Sequence, residues 1–220
     1  MRMRSSLRSL TGRRLRSNPM DLLLVRHGLP VRVEGAEGPA DPVLTDEGRR
    51  QSERLAEWLA HEHIDHLMSS TLRRAQQTAA PVGDRLGLGV ELVQGLSEFD
   101  ADADSYIPIE ELRQTRDPRF FALVEGRWDE LGSTVDPSAF ADLVHTTIEG
   151  VIERFPGQRV AVVCHGGVIN LYLGRILGAE RHLWFEPGYT SISRVAASRD
   201  GHRTIVSLNE TAHLIATRVR

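Results

Sequence analysis

Two stretches far apart in the chain each end an apolar run in histidine and glycine: Leu22-Leu23-Leu24-Val25-Arg26-His27-Gly28 and Val160-Ala161-Val162-Val163-Cys164-His165-Gly166-Gly167. An imidazole is nucleophilic when one ring nitrogen is free and the other is held by a hydrogen bond. Guanidinium groups fork onto phosphoryl oxygens and keep their charge in any pocket. Two histidines and an arginine at one edge therefore describe an anion pocket, and a phosphoryl group is the electrophile best matched to it. Arg74, early in a downstream helix, adds a second guanidinium. On this reading Arg26 and Arg74 hold the oxygens, His27 attacks in line, and His165 donates to the transferring group. The leaving oxygen then needs a proton. Gly166 and Gly167 follow His165, so the acid comes from elsewhere, and Glu98, just past a predicted strand, is best placed. The same carboxylate would take a proton from attacking water in a second half-reaction.

Two other chemistries are written in the chain. Cys164 invites a thiol-phosphatase reading, but that chemistry wants an arginine six positions on, and Asn170 stands there. A buried strand-end thiol accounts for it better. The run His61-Glu62-His63-Ile64-Asp65-His66 has the spacing of a two-zinc hydrolase, and His61, Asp65 and His66 are its candidate ligands. Such a motif follows an apolar strand and lies in a loop. Here it follows an amphipathic helix and runs into Leu67-Met68, which favours three histidines in a helix-to-strand turn. A catalytically silent phosphate-binding module is the third class. The joint presence of Arg26, His27, Arg74, Glu98 and His165 argues against it.

The elements that must position these groups follow from periodicity. Four consecutive bulky aliphatics before Arg26 read as a strand buried on both faces of a parallel sheet, with the polar residues at its carboxyl end, where ligands of open α/β sheets sit. Residues 29–43, rich in Pro, Gly and acids, form a loop framing the pocket. Thr45 caps a helix whose buried stripe is Ser52, Leu55, Ala56 and Leu59, and Ile64 to Ser69 is the second strand. A helix from Thr71 to about Leu86 carries Arg73 and Arg74 in its first turn, where cations oppose the dipole and need solvent or an anion. Arg73 reads as a solvated residue outside the site, and Pro81 is expected to kink or restart the helix. Val90 to Gln94 is a short strand. From Phe99 to Asp136 the periodicity is poor, which predicts an inserted cap with short helices near 109–114 and 118–124. Asp136-Pro137 opens a helix with Phe140, Leu143, Val144, Thr147, Ile148 and Val151 on its apolar face. The second His-Gly strand, a helix to Gly178, and a hairpin around Asp200-Gly201 complete the chain. The fold class is α/β, a three-layer α/β/α sandwich with a mostly parallel sheet and a small inserted cap.

Composition bounds the rest. A chain of 220 residues can bury one sizeable core. All 27 basic residues are arginine, which reports a GC-rich coding sequence and removes lysine Schiff-base chemistry. The single cysteine precludes an internal disulfide framework and points to a reducing cytoplasm. Residues 1–19 carry six arginines and no acids, so the remainder holds 21 arginines against 30 acids. That acidic body is a poor nucleic-acid binder. The basic segment has neither a signal peptide's apolar run nor the length of a membrane span, and reads as a disordered tail or a start placed upstream of folding near Met20. The expected partner is a small phosphorylated substrate, with no nucleic acid and no membrane; oligomeric state is left open.

The motifs together resemble a known family. Leu24 to Gly28, Leu44-Thr45 with Gly48 and Gln51, Ser69-Ser70 with Leu72, Arg74-Ala75 and Gln77-Thr78-Ala79, Glu98, and Cys164 to Gly167 are similar to the histidine phosphatase superfamily, in its phosphoglycerate mutase-like branch. Asn209 and His213 resemble its closing segment. The resemblance spans about Asp21 to Leu214. It implies a metal-independent phosphomonoesterase of the histidine acid phosphatase type, without cofactor, passing through phosphohistidine at His27. Arg26, Arg74 and His165 would surround the phosphate, Gly28 and Gly166 would complete the substrate-binding set, and Glu98 would donate the proton. Mutases of the family carry a longer Trp-Asn-containing stretch where this chain has Leu29 to Val43, so hydrolysis is favoured over mutase-type phosphoryl transfer, which stays as the alternative.

Overall fold

The computed structural model describes residues 18–127 and 135–215. The basic amino-terminal segment up to residue 17, the stretch 128–134 with Trp128, and residues 216–220 lie outside the described residues.

Strand β1 (Met20–Arg26) lies between β4 (Arg159–Cys164) and β5 (Ile192–Ala197) in a six-stranded sheet of order β3-β2-β4-β1-β5-β6. Strands β2 (His66–Ser70) and β3 (Val90–Val93) continue the parallel side, while β5 runs antiparallel to both β1 and β6 (Arg203–Glu210). The two core strands explain why the apolar runs lack alternation. Leu22 and Leu24 face one layer with Val160 and Val162, against Val144, Ile148, Val168 and Tyr172 of α5 (Pro137–Arg154) and α6 (Gly166–Leu177). Leu23 and Val25 face the other with Ala161 and Val163, against Leu55, Leu59, Ala75 and Val82 of α1 (Asp46–Leu59) and α2 (Arg73–Leu86). A strand with helices on both sides must be apolar at every position. The architecture is the expected α/β/α sandwich.

Between β3 and α5 the described chain forms α3 (Ile109–Gln114) and α4 (Pro118–Glu125), close to the helices expected there. The 29–43 loop leans on this segment through paired backbone hydrogen bonds between Val33 and Tyr106, at 3.0 and 2.7 Å.

Four local expectations need correction. Helix α2 starts at Arg73, and it passes through Pro81 without interruption. Proline removes one backbone donor, and the burial of Ala75, Thr78, Ala79, Val82 and Gly83 on both sides of it outweighs that loss. Leu143 is 52% exposed instead of joining the stripe of α5. The stripe centres on Val144, and one residue along a helix turns a side chain by about 100°. β3 ends at Val93, because Gln94–Leu96 tightens into a 3-10 turn.

Candidate active site

Parallel pairing of β1 with β4 sets Arg26 opposite Cys164, and the next residues are the two histidines. The rings of His27 and His165 meet with centroids 5.1 Å apart, although 138 positions separate them. His27 Nδ1 lies 2.8 Å from the Gly28 carbonyl, which can only accept, so Nδ1 carries the proton and Nε2 keeps its lone pair. Gly28 NH in turn donates to Thr78 Oγ1 at 2.9 Å. Gly28 thus sets the orientation of the His27 ring and does not itself line the cavity. A side chain there would press on the Gly48 carbonyl of α1, so the close approach requires glycine. His165 is wholly buried against His27, with Nε2 2.8 Å from Ser70 Oγ at the end of β2.

Both guanidinium groups are buried. Arg26 Nη1 donates to Glu110 Oε1 at 2.7 Å and to the Pro187 carbonyl at 2.6 Å, and its plane lies over the Tyr189 ring, 3.9 Å from the centroid. Arg74 Nη2 donates to Asp100 Oδ1 at 2.8 Å, beneath the ring of Tyr106. Asp100 supplies the anion that Arg74 needed at the helix start, while Arg73 is exposed and its amide is capped by Asp41. Arg26 Nε, Arg74 Nε and Nη1, and His165 Nδ1 are buried without a hydrogen-bond partner among the described residues. Buried donors are expensive to leave unpaired, and a tetrahedral oxyanion suits four such atoms.

Glu98 approaches from the turn after β3. Its Oε2 accepts from Gly167 NH at 2.7 Å, at the first turn of α6. Burial, then the neighbouring Asp100 carboxylate, pushes its pKa up to about 7, against the pull of Gly167 NH and Arg74. The histidines shift the other way. Burial first, then Arg74, holds both His27 and His165 well below the usual imidazole range. Burial works against the charge on Arg26, but Tyr189 and Glu110 outweigh it and hold its pKa above the usual guanidinium value. The Cys164 thiol is fully buried and pushed up by burial and Glu98, which leaves it unreactive.

Arg26, His27, Arg74, Glu98 and Gly166 line one cavity of about 500 Å³. The His61 to His66 run lies elsewhere in its engagements: His63 pairs with Asp65 at 2.8 Å, Asp65 accepts from Arg159 NH, and His66 contacts Gln158 and the Phe155 ring. Among the described residues no three or more His, Cys, Asp or Glu side chains converge so as to hold a metal ion.

The model of the histidine phosphatase superfamily (branch 1) matches residues 22–211. The chain belongs to the histidine phosphatase superfamily. This makes it an enzyme of phosphoryl-group chemistry, a phosphatase or a mutase. A probable phosphoglycerate mutase GpmB of Yersinia enterocolitica is 29% identical over 208 residues, covering 89% of this chain and 95% of that protein. Among solved structures, phosphoserine phosphatase of Entamoeba histolytica superposes with a TM-score of 0.68 at 23% identity, covering 89% of this chain and 100% of the other. Mycobacterial glucosyl-3-phosphoglycerate phosphatase gives 0.69 at 22% identity, with 87% and 99% covered. A putative alpha-ribazole-5'-P phosphatase of Escherichia coli gives 0.66 at 25% identity, with 87% and 97% covered.

Several site residues carried no role in the sequence reading. Glu110, Tyr106 and Tyr189 hold the arginines from segments without periodicity, and no spacing pointed to them. Ser70 and Thr78 stood inside recognised motifs, yet only their contacts reveal what they orient. Asn170 holds the wall opposite α3 and α4: its side chain bonds the backbone of Gly166, Trp184 and Phe185.

Proposed function

We propose that the protein is a phosphomonoesterase of acid-phosphatase type that works through phosphohistidine at His27. The observation carrying this reading is the pair of facing imidazoles, 5.1 Å apart, ringed by unpartnered nitrogens of Arg26, Arg74 and His165. His27 Nε2 attacks phosphorus in line, the bond to the ester oxygen breaks, and protonated Glu98 gives its proton to that oxygen. With the Ser70 hydroxyl donating to His165 Nε2, His165 Nδ1–H is left to donate to the transferring group. Water then attacks phosphorus, the Glu98 carboxylate takes its proton, and the P–N bond breaks to return the electron pair to His27. Gly166 belongs to the substrate-binding set, and the segment from Phe99 to Asp136 acts as the cap that selects the substrate.

Replacing His27 with alanine abolishes turnover of p-nitrophenyl phosphate while leaving the circular-dichroism spectrum and melting profile native. Substantial residual activity would remove His27 as nucleophile. Treatment with EDTA leaves the rate unchanged; loss of activity restored by zinc would favour the His61, Asp65 and His66 hydrolase instead. Phosphoglycerate mutase-type transfer is the second reading, favoured by the name of the 29% identical relative. Interconversion of 2- and 3-phosphoglycerate faster than phosphate release would establish it.

A further inference from the structure

The cavity is too large for a phosphoryl group alone, and its remaining walls differ in kind from the phosphate end. Alongside Arg26, Arg74, Glu98 and Asp100, the same cavity of about 500 Å³ is lined by Ile109, Phe120, Leu123, Leu183, Phe185 and Pro187. These come from α3, α4 and the segment preceding β5. A pocket of this size and composition is that of a small-molecule site whose orientation is fixed by a few polar groups.

Its charges away from the phosphate end are few. Arg113 Nη1 lies 2.7 Å from Glu186 Oε2, so these two lining groups neutralise each other. Arg181 also lines the cavity but is exposed to solvent, where water solvates its charge. At the phosphate end Arg26 and Arg74 each already pair with one carboxylate, Glu110 and Asp100, and their remaining unpartnered nitrogens serve the phosphoryl oxygens on the proposed reading. A substrate carrying a carboxylate two or three atoms from its phosphate would set that carboxylate against apolar walls and near the Asp100 carboxylate. Burying an unpaired anion there is unfavourable, whereas an apolar body gains from leaving water.

We propose that this site takes phosphomonoesters whose alcohol carries an apolar body of about ring size, aryl or branched alkyl, in preference to carboxylated phosphate esters. The inference rests on the phosphatase reading and adds the leaving-group class. The test is initial-rate kinetics of the full chain on benzyl and 2-phenylethyl phosphate, on phosphoserine and 3-phosphoglycerate, and on ethyl phosphate as the bare reference. We expect kcat/KM at least tenfold higher for the two arylalkyl esters than for ethyl phosphate, with the carboxylated esters at or below it. Phe120→Ser lowers the benzyl-to-ethyl ratio at least threefold, and Leu183→Ser provides the same readout if the first variant is insoluble. A carboxylated ester outrunning benzyl phosphate, or a ratio unmoved by either variant, overturns the substrate class and leaves the phosphatase reading standing. Failure of every ester, p-nitrophenyl phosphate included, overturns both.

Discussion

Glu98 and His27 are driven in opposite directions by the same burial. A carboxyl pushed up to about 7 is mostly protonated at mildly acidic pH, and an imidazole held below its usual value keeps its neutral form to lower pH than a free one. On the proposed mechanism the acid, Glu98, and the nucleophile, His27, are thereby both favoured in their working forms at mildly acidic pH. For ethyl or benzyl phosphate, whose alkoxides need protonation, kcat/KM is full below about pH 7 and falls as Glu98 ionises above it. For p-nitrophenyl phosphate the fall is shallower. Glu98→Gln removes the alkaline limb and lowers kcat for alkyl esters by about 10²-fold or more, with a smaller loss for the nitrophenyl ester. Equal losses on both esters would place the acid elsewhere. His27 and His165 were legible because each ends an apolar strand and a strand's end is a predictable location. Asp100, Glu110 and Tyr189 were not, because a side chain that orients another by crossing between segments leaves no period in the sequence.

Helix α6 begins where β4 delivers its histidine, and the Gly167 amide in its first turn donates to the Glu98 carboxylate. Glycine suits this position: a Cβ would collide with Glu98 Oε1 and crowd the rest of the carboxylate, which would have to shift. Gly167→Ala shortens no helix, since alanine is the better helix former, but it pushes Glu98 off its amide. The expected result is a loss of about tenfold or more on benzyl phosphate with little change in melting temperature, measured on the same preparation. A wild-type rate would show that Glu98 moves without consequence. The helices and strands themselves were readable from apolar spacing, Thr45 and Asp136 as caps included. The expectation failed at Pro81 because tertiary packing decides whether one missing hydrogen bond breaks a helix, and packing is not local information.

For the molecule as a whole, a cluster of buried and unpartnered guanidinium and imidazole nitrogens is a cost carried by the folded state alone. An oxyanion that binds them stabilises the fold by mass action. Inorganic phosphate at about 100 times its dissociation constant adds roughly 2.7 kcal/mol, or about 5–10 °C in melting temperature for a chain of this size. The shift should disappear in Arg74→Ala. Sulfate and phosphate acting equally on that variant and on the native chain would point to general salt effects.

The strand order places β4 between β1 and β2, although it is made after both. A ribosome releasing this chain exposes the first two strands, each with a bare flank where its central neighbour belongs, until nearly three-quarters of the polypeptide has emerged. His165, at the end of β4, arrives with that same late insertion. The two facing imidazoles of the proposed phosphohistidine route therefore come together only once β4 has entered the sheet.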